Sequence, residues 1–149
     1  MVREALLLSI RPTFAERILA GTKTVELRRV KPSVRIGQPV LIYSSSPTMA
    51  LLGTAAVERL DLEDPERLWP RVRGAAGVTR AEYDDYFDGA ERAAAIWLRD
   101  VVRFEEPVGL ATLRQRWPWF RAPQSYCFVR VSLVREGLGV RSLAPRDAA

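Results

Sequence analysis

At 149 residues, 48% of them hydrophobic and 28% charged, the chain has the size and balance of a single globular domain with a core of its own. It contains no histidine and one cysteine, Cys127. This excludes Ser-His-Asp and Cys-His catalysis, histidine-containing zinc sites and an internal disulfide, and leaves acid–base work to Lys, Glu, Asp or Tyr. The net charge of +5 favours an anionic partner such as nucleic acid, although the positive residues are spread along the chain without a dense basic run. No apolar run approaches the ~20 residues that span a membrane, and the first ten residues lack the features of a secretory signal. A cytoplasmic protein without metal or cofactor is expected.

The apolar run at residues 4–10 (Ala5, Leu6, Leu7, Leu8, Ile10) has the length of a buried strand. Pro12 to Ala20 has the spacing of a short amphipathic helix, with Pro12 in its first turn and Gly21 where positive φ closes it. Ser9 and Arg11 face the start of that helix, whose free amides would suit an anion. From Thr22 the pattern switches to period 2, with Val25 and Leu27 on one face and Thr24, Glu26 and Arg28 on the other. Lys23 stands out because the chain has 21 arginines and only two lysines. A compact ammonium can lose a proton when buried and a guanidinium cannot. The same residues also read as ordinary exposed charges, with Glu26 and Arg28 a pair worth little. Strict period 2 sets Lys23 opposite Glu26 and Arg28. Either Lys23 lies at an irregular helix–strand junction, or the three do not form one site.

Val40 to Tyr43 reads as a short strand ending in Ser44-Ser45-Ser46-Pro47, and Ala50 to Leu60 as the next, with Gly53 at a bulge or a close backbone approach. The serine turn serves a hairpin, or offers a rim of hydroxyls for a phosphate or base edge. Asp64-Pro65 starts a helix burying Leu68, and Thr79-x-x-Glu82 is a capping box for another, which explains Glu82 structurally. Ala93 to Phe104 reads as a long strand, interrupted by Pro107. Leu110 to Arg116 reads as a short helix leading into Trp117-Pro-Trp-Phe120, flanked by Arg114, Arg116 and Arg121. Those aromatics would either plug an open barrel end or stack exposed bases. Gln124 to Val134 is the expected final strand, with Cys127 a strand residue rather than a nucleophile. From Glu136 the apolar period is lost.

Gly21-x-Lys23-x-x-Glu26-x-Arg28 after a proline-started helix resembles the signature of the ASCH domain, a branch of the PUA-like fold. Leu6-Leu-Leu-Ser-Ile-Arg-Pro12 resembles that family's first strand entering its helix. Tyr43-Ser-Ser-Ser-Pro47 followed by Leu52-Gly-Thr-Ala-Ala-Val57 resembles its next hairpin, and Pro123-Gln-Ser-Tyr126 its last-strand entry. The similarity covers roughly residues 5 to 134. Short strands mixed with short helices, without βαβ alternation, argue an α+β fold with a mainly antiparallel sheet. The resemblance sharpens this to a small PUA-like β-barrel flanked by short helices over residues 1–135, and the lost apolar period makes 136–149 a weakly ordered tail.

The resemblance further implies an RNA- or nucleotide-binding protein whose cleft gathers the Lys23 region, the serine turn and Gln124-Ser125. Lys23 and Glu26 would be catalytic if the protein is an enzyme. Ser9, Arg11, Arg28, Tyr43, Ser44, Ser45, Gln124 and Ser125 would bind the RNA, nucleotide or nucleoside. Some relatives are hydrolases: one branch removes the acetyl group of N4-acetylcytidine with a lysine, a threonine and a glutamate, and another cleaves single-stranded RNA. Lys23 matches the lysine, but Glu26 stands in the threonine's place and Ala75-Ala76-Gly77 in the glutamate's. A non-catalytic domain that binds another protein is the remaining alternative.

Overall fold

Because Leu6, Leu7 and Leu8 are consecutive and all apolar, the strand that carries them must be covered on both faces. In the computed structural model, which describes residues 3–139, they lie in β1 (Glu4–Ile10). Leu6, Leu8 and Ile10 enter one core, with Ala15 and Ile18 of α1 (Pro12–Ala20). Ala5 and Leu7 enter a second core on the other face. The remaining elements are β2 (Val25–Arg28), β3 (Pro39–Ser44), β4 (Ala50–Glu63), α2 (Pro65–Val72), α3 (Arg80–Tyr86), β5 (Ala93–Gly109), α4 (Leu110–Arg116), β6 (Tyr126–Arg130) and α5 (Val131–Leu138). A third cluster lies under α2 and α3, where Leu68, Val72, Tyr83 and Phe87 pack on Val25, Leu27 and Ala95. No helix among the described residues is long and apolar enough to cross a membrane.

The strands form one mixed sheet in the order β2-β5-β4-β3-β1-β6. The β1–β3 pair is parallel and the other four pairs are antiparallel. This is the expected α+β, mainly antiparallel architecture, but the barrel is incomplete: β2 and β6 end the sheet, and among the described residues no ladder joins them. A side chain spans the gap instead. The Arg28 guanidinium at the end of β2 donates through Nη1 to the Ser125 carbonyl (3.2 Å) and Oγ (3.0 Å), and through Nη2 to the Ser9 carbonyl (3.0 Å).

Local signals hold where the chemistry is local. Gly21 closes α1 with φ +84°. Asp64 caps α2 by accepting from the Glu66 amide (2.9 Å), and Thr79 and Glu82 form both halves of the capping box. Three expectations are corrected. Pro107 does not interrupt β5; it falls in an irregular stretch, between the Gly53–Arg103 and Leu51–Val108 pairs, to which β2 does not extend, so no ladder bond is lost there. The final strand stops at Arg130. Val131, Val134 and Leu138 have helical spacing, and α5 lays them on the second core. The tail expected from 136 therefore begins as the last turn of that helix, and its remainder, 140–149, lies outside the described residues.

At Gly53 both expected features occur, a register shift on each side and a close approach. A Cβ there would sit 2.3 Å from the Val102 carbonyl oxygen and 2.9 Å from Cδ2 of Leu19. Gly53→Ala is expected to destabilise the fold by about 1–3 kcal/mol through overpacking. Gly74→Ala, where a Cβ meets nothing within 4 Å, should leave the melting temperature unchanged or slightly raised. Equal melting temperatures for the two variants would show that the sheet gives way easily at Gly53.

Candidate functional site

Lys23 belongs to neither α1 nor β2. Its amide donates to the Arg17 carbonyl (3.1 Å), and the Thr24 amide donates to the Ala75 carbonyl (2.9 Å). This irregular junction breaks the period-2 alternation and turns Lys23 to the same side as Glu26 and Arg28. The side chain is buried, with Lys23 only 2% exposed. Its Nζ donates to the Ala76 carbonyl (2.5 Å), lies 5.3 Å from the Phe14 ring centroid, and stands 3.9 Å from Glu26 Oε1. Glu26 Oε1 accepts from the Leu27 amide at 3.0 Å. Glu26 Oε2 lies 3.5 Å from Arg28 Nη2 but has no hydrogen-bond partner among the described residues.

Burial pushes the Lys23 amine below its ordinary 10.5; Glu26 beside it opposes that shift, while Arg28 and Arg17 reinforce it. The pair is therefore held in place by geometry rather than by strong mutual stabilisation, since two buried charges lose much of their hydration. The loop after α2 completes the enclosure. Arg17 Nη1 donates to the Gly77 carbonyl, and Arg29 Nη1 donates to the carbonyls of Tyr86 (2.8 Å) and Asp88 (3.0 Å), tying the end of α3 to β2.

These groups face a cleft of about 690 Å³ at the unclosed side of the sheet, whose lining includes Ser9, Arg11, Lys23, Glu26, Arg28, Ser45, Gln124 and Ser125. Eight of the ten residues singled out from the sequence thus meet at one place. Tyr43 and Ser44 do not. Alternation along β3 sends Leu41 and Tyr43 into the second core, where Tyr43 is 1% exposed and its ring centroid is 6.2 Å from that of Phe120. Ser44 is fully buried, and neither hydroxyl has a hydrogen-bond partner among the described residues. The expected rim therefore reduces to Ser45. Arg28 is also less available than expected, because both Nη atoms hold the β1 and β6 ends together. Arg11 is exposed, and its guanidinium has no partner among the described residues.

Helix α3 supplies what the sequence reading left out: Glu82, Tyr83, Asp85 and Tyr86 also line the cleft. The hydrogen bonds from Thr79 that make Glu82 a cap lower its pKa, which leaves an ionised carboxylate on the rim. Tyr86 is 42% exposed, and burial of its hydroxyl raises its pKa. A helical wheel carries the missing signal. Tyr83 and Phe87 are spaced i, i+4 and take the buried face, which leaves Tyr86 on the flank.

An open, coiled α+β sheet with short helices, a buried lysine–glutamate pair and a polar cleft at the unclosed side defines a protein of the PUA-like class. A family model described as "Domain of unknown function (DUF365)" matches residues 4–114. A relative from Zymomonas mobilis named ASCH domain-containing ribonuclease is 34% identical over 86% of each chain. The crystal structure of ASCH from Zymomonas mobilis superposes with a TM-score of 0.85 at 31% identity, covering 95% of this chain and 96% of that one. A tyrosine-to-phenylalanine variant of that protein gives 0.86 over 96% and 100%. The N-terminal domain of Staphylothermus marinus McrB, at 11% identity and a TM-score of 0.59 over 93% of this chain, shares the fold alone. The chain belongs to the ASCH domain family.

Proposed function

We propose that the protein binds single-stranded RNA in the Lys23 cleft and cleaves it by transferring the phosphodiester to the neighbouring ribose hydroxyl. The observation that carries this reading is a buried amine and a buried carboxylate, 3.9 Å apart, opening together on the cleft. One carboxylate oxygen, Oε2, has no hydrogen-bond partner among the described residues. The relative named as a ribonuclease supports the choice of substrate.

The Glu26 carboxylate takes the proton of a 2′-hydroxyl, whose oxygen attacks the adjacent phosphorus. The bond from phosphorus to the 5′-oxygen breaks, and Lys23 Nζ delivers a proton to that leaving oxygen. The products are a 2′,3′-cyclic phosphate and a 5′-hydroxyl end. Glu26 is left protonated and Lys23 neutral, and return of the proton between them resets the site. A lysine with a lowered pKa is the better donor for this step. Arg11 attracts the backbone, and the exposed Tyr86 ring offers a face to a base. Amide hydrolysis of N4-acetylcytidine is less well served. Where the resemblance implies a glutamate there is only the Ala75-Ala76-Gly77 backbone, whose Ala76 carbonyl is already bonded to Lys23.

Incubation of the purified protein with single-stranded RNA should yield cyclic-phosphate ends, and a strand carrying one 2′-deoxyribose should resist cleavage at that nucleotide. Cleavage at the deoxy position would overturn the mechanism, and an absence of both binding and cleavage would overturn the function. Affinity should also fall with salt, with a log–log slope of about −0.7 per phosphate contacted. A flat salt dependence would remove the backbone from the interaction.

A further inference from the structure

The Trp117–Phe120 segment, which the sequence leaves open between plug and stacking platform, buries two of its aromatics and exposes the third. Trp117 and Phe120 are buried in the second core. Trp119 between them is 55% exposed, and its ring lies against that of Trp117 with centroids 5.7 Å apart and planes 16° from parallel. One face of Trp119 is therefore backed by a fixed ring. An exposed tryptophan held this way resembles the aromatic surfaces on which unpaired bases stack.

The charge around it is not evenly shared with the rest of the chain. Residues 107–135 contain Arg114, Arg116, Arg121, Arg130 and Arg135 and no acidic residue. Outside that segment 18 of the 23 basic residues face all 18 acidic ones, so the whole net charge of +5 resides in it. Arg114, Arg116 and Arg121 are exposed and make no ion pair among the described residues. The segment also runs into the cleft wall in sequence. Gln124 lies five positions beyond Trp119, a reach of at most about 18 Å.

From this geometry we infer that Trp119, with Arg116 and Arg121, forms a second subsite that stacks a base and neutralises phosphates of the same RNA strand as it leaves the cleft past Gln124 and Ser125. The inference rests on the reading of the cleft as an RNA site and extends it from one scissile linkage to a strand of several nucleotides. The arginines distinguish this occupant from an apolar protein partner, which would leave three unpaired guanidinium groups at its edge.

The test uses uncleavable 2′-O-methyl oligoadenylates of about three and about ten nucleotides, read by fluorescence anisotropy. The wild-type protein should bind the longer probe more tightly. Trp119→Ala should weaken the longer probe by about 5- to 150-fold, the range that loss of one stacked base gives. It should leave the shorter probe and the melting temperature unchanged, and Trp119→Phe should restore part of the loss. Lys23→Met should weaken both probes, which tests the cleft separately. Unchanged affinity of the longer probe for Trp119→Ala overturns the subsite and leaves the platform to another kind of partner. Longer-probe binding that depends on Trp119 but not on Lys23 overturns the single continuous track. Failure of both probes to bind wild-type protein overturns both readings.

Discussion

Lys23→Met is expected to reduce RNA cleavage by about 10²–10⁴-fold, the usual contribution of a positioned proton donor, while the protein remains folded. Methionine fills nearly the volume of the lysine stem beside Phe14 and removes a buried charge. Glu26 keeps Arg28 at 3.5 Å and the Leu27 amide at 3.0 Å, so no carboxylate is stranded. Lys23→Arg should lose almost as much activity. A guanidinium does not give up its proton near neutral pH, and its larger head has no room under the Ala76 carbonyl. Single-turnover cleavage of a defined RNA, with melting temperature as the control, decides the matter. An arginine variant with full activity would reduce Lys23 to a positive charge and would sink the proton-donor role.

The pH profile offers a second readout of the same residue. A donor must be protonated, so the alkaline limb of the activity profile should fall as pH rises through the folded pKa of Lys23, in a window below 10.5. Stability runs the other way there. Between the lowered folded pKa and 10.5 the unfolded chain binds a proton that the folded chain lacks, so stability rises with pH. Tyr83 reverses this at higher pH. Its hydroxyl is pushed up to about 12 by burial, so above 10 the unfolded chain releases its proton first and stability declines. A limb of falling activity with rising stability, confined below pH 10 and absent in Lys23→Met, is the expected pattern.

The sequence disclosed the site unevenly, for physical reasons. Helix α1, its glycine cap, the two capped helices and the placement of Lys23, Glu26, Ser9 and Ser125 follow from short-range spacing and from motif resemblance, which need no knowledge of the third dimension. Tyr43 was misplaced because a tyrosine before three serines looks like a rim, whereas which face of β3 meets α4 and α5 is decided by the whole sheet. The strand–helix switch at Val131 was hidden because Cys127, Val129 and Val131 continue an alternation that Val131, Val134 and Leu138 also satisfy at helical spacing. The capping role of Glu82 in α3 accounts for it locally, and nothing in the short-range pattern marks Glu82 or Tyr86 for the cleft. Their cleft position depends on Arg29 tying the end of that helix to β2, a contact between residues more than 50 apart.

Arg28→Ala is expected to lower the melting temperature by about 6–20 °C, and this loss should precede any effect on RNA. Removing one partner from a buried ion pair destabilises by about 3–5 kcal/mol, and for a chain of this size each kcal/mol moves the midpoint by about 2–4 °C. The guanidinium also makes the three bonds that join β2 to the Ser9 and Ser125 ends across the open side of the sheet. Without it the unpartnered Glu26 Oε2 loses its nearest cation. Glu26→Gln in the Arg28→Ala background should then recover part of the stability, with a coupling of about 0.5–3 kcal/mol, because the amide no longer needs a counter-charge. Were Arg28 chiefly a phosphate contact, Arg28→Ala would melt with the wild type and lose only RNA affinity. The bonding pattern favours the clamp: both Nη atoms are committed to Ser9 and Ser125, and what remains is Nε, buried and without a hydrogen-bond partner among the described residues.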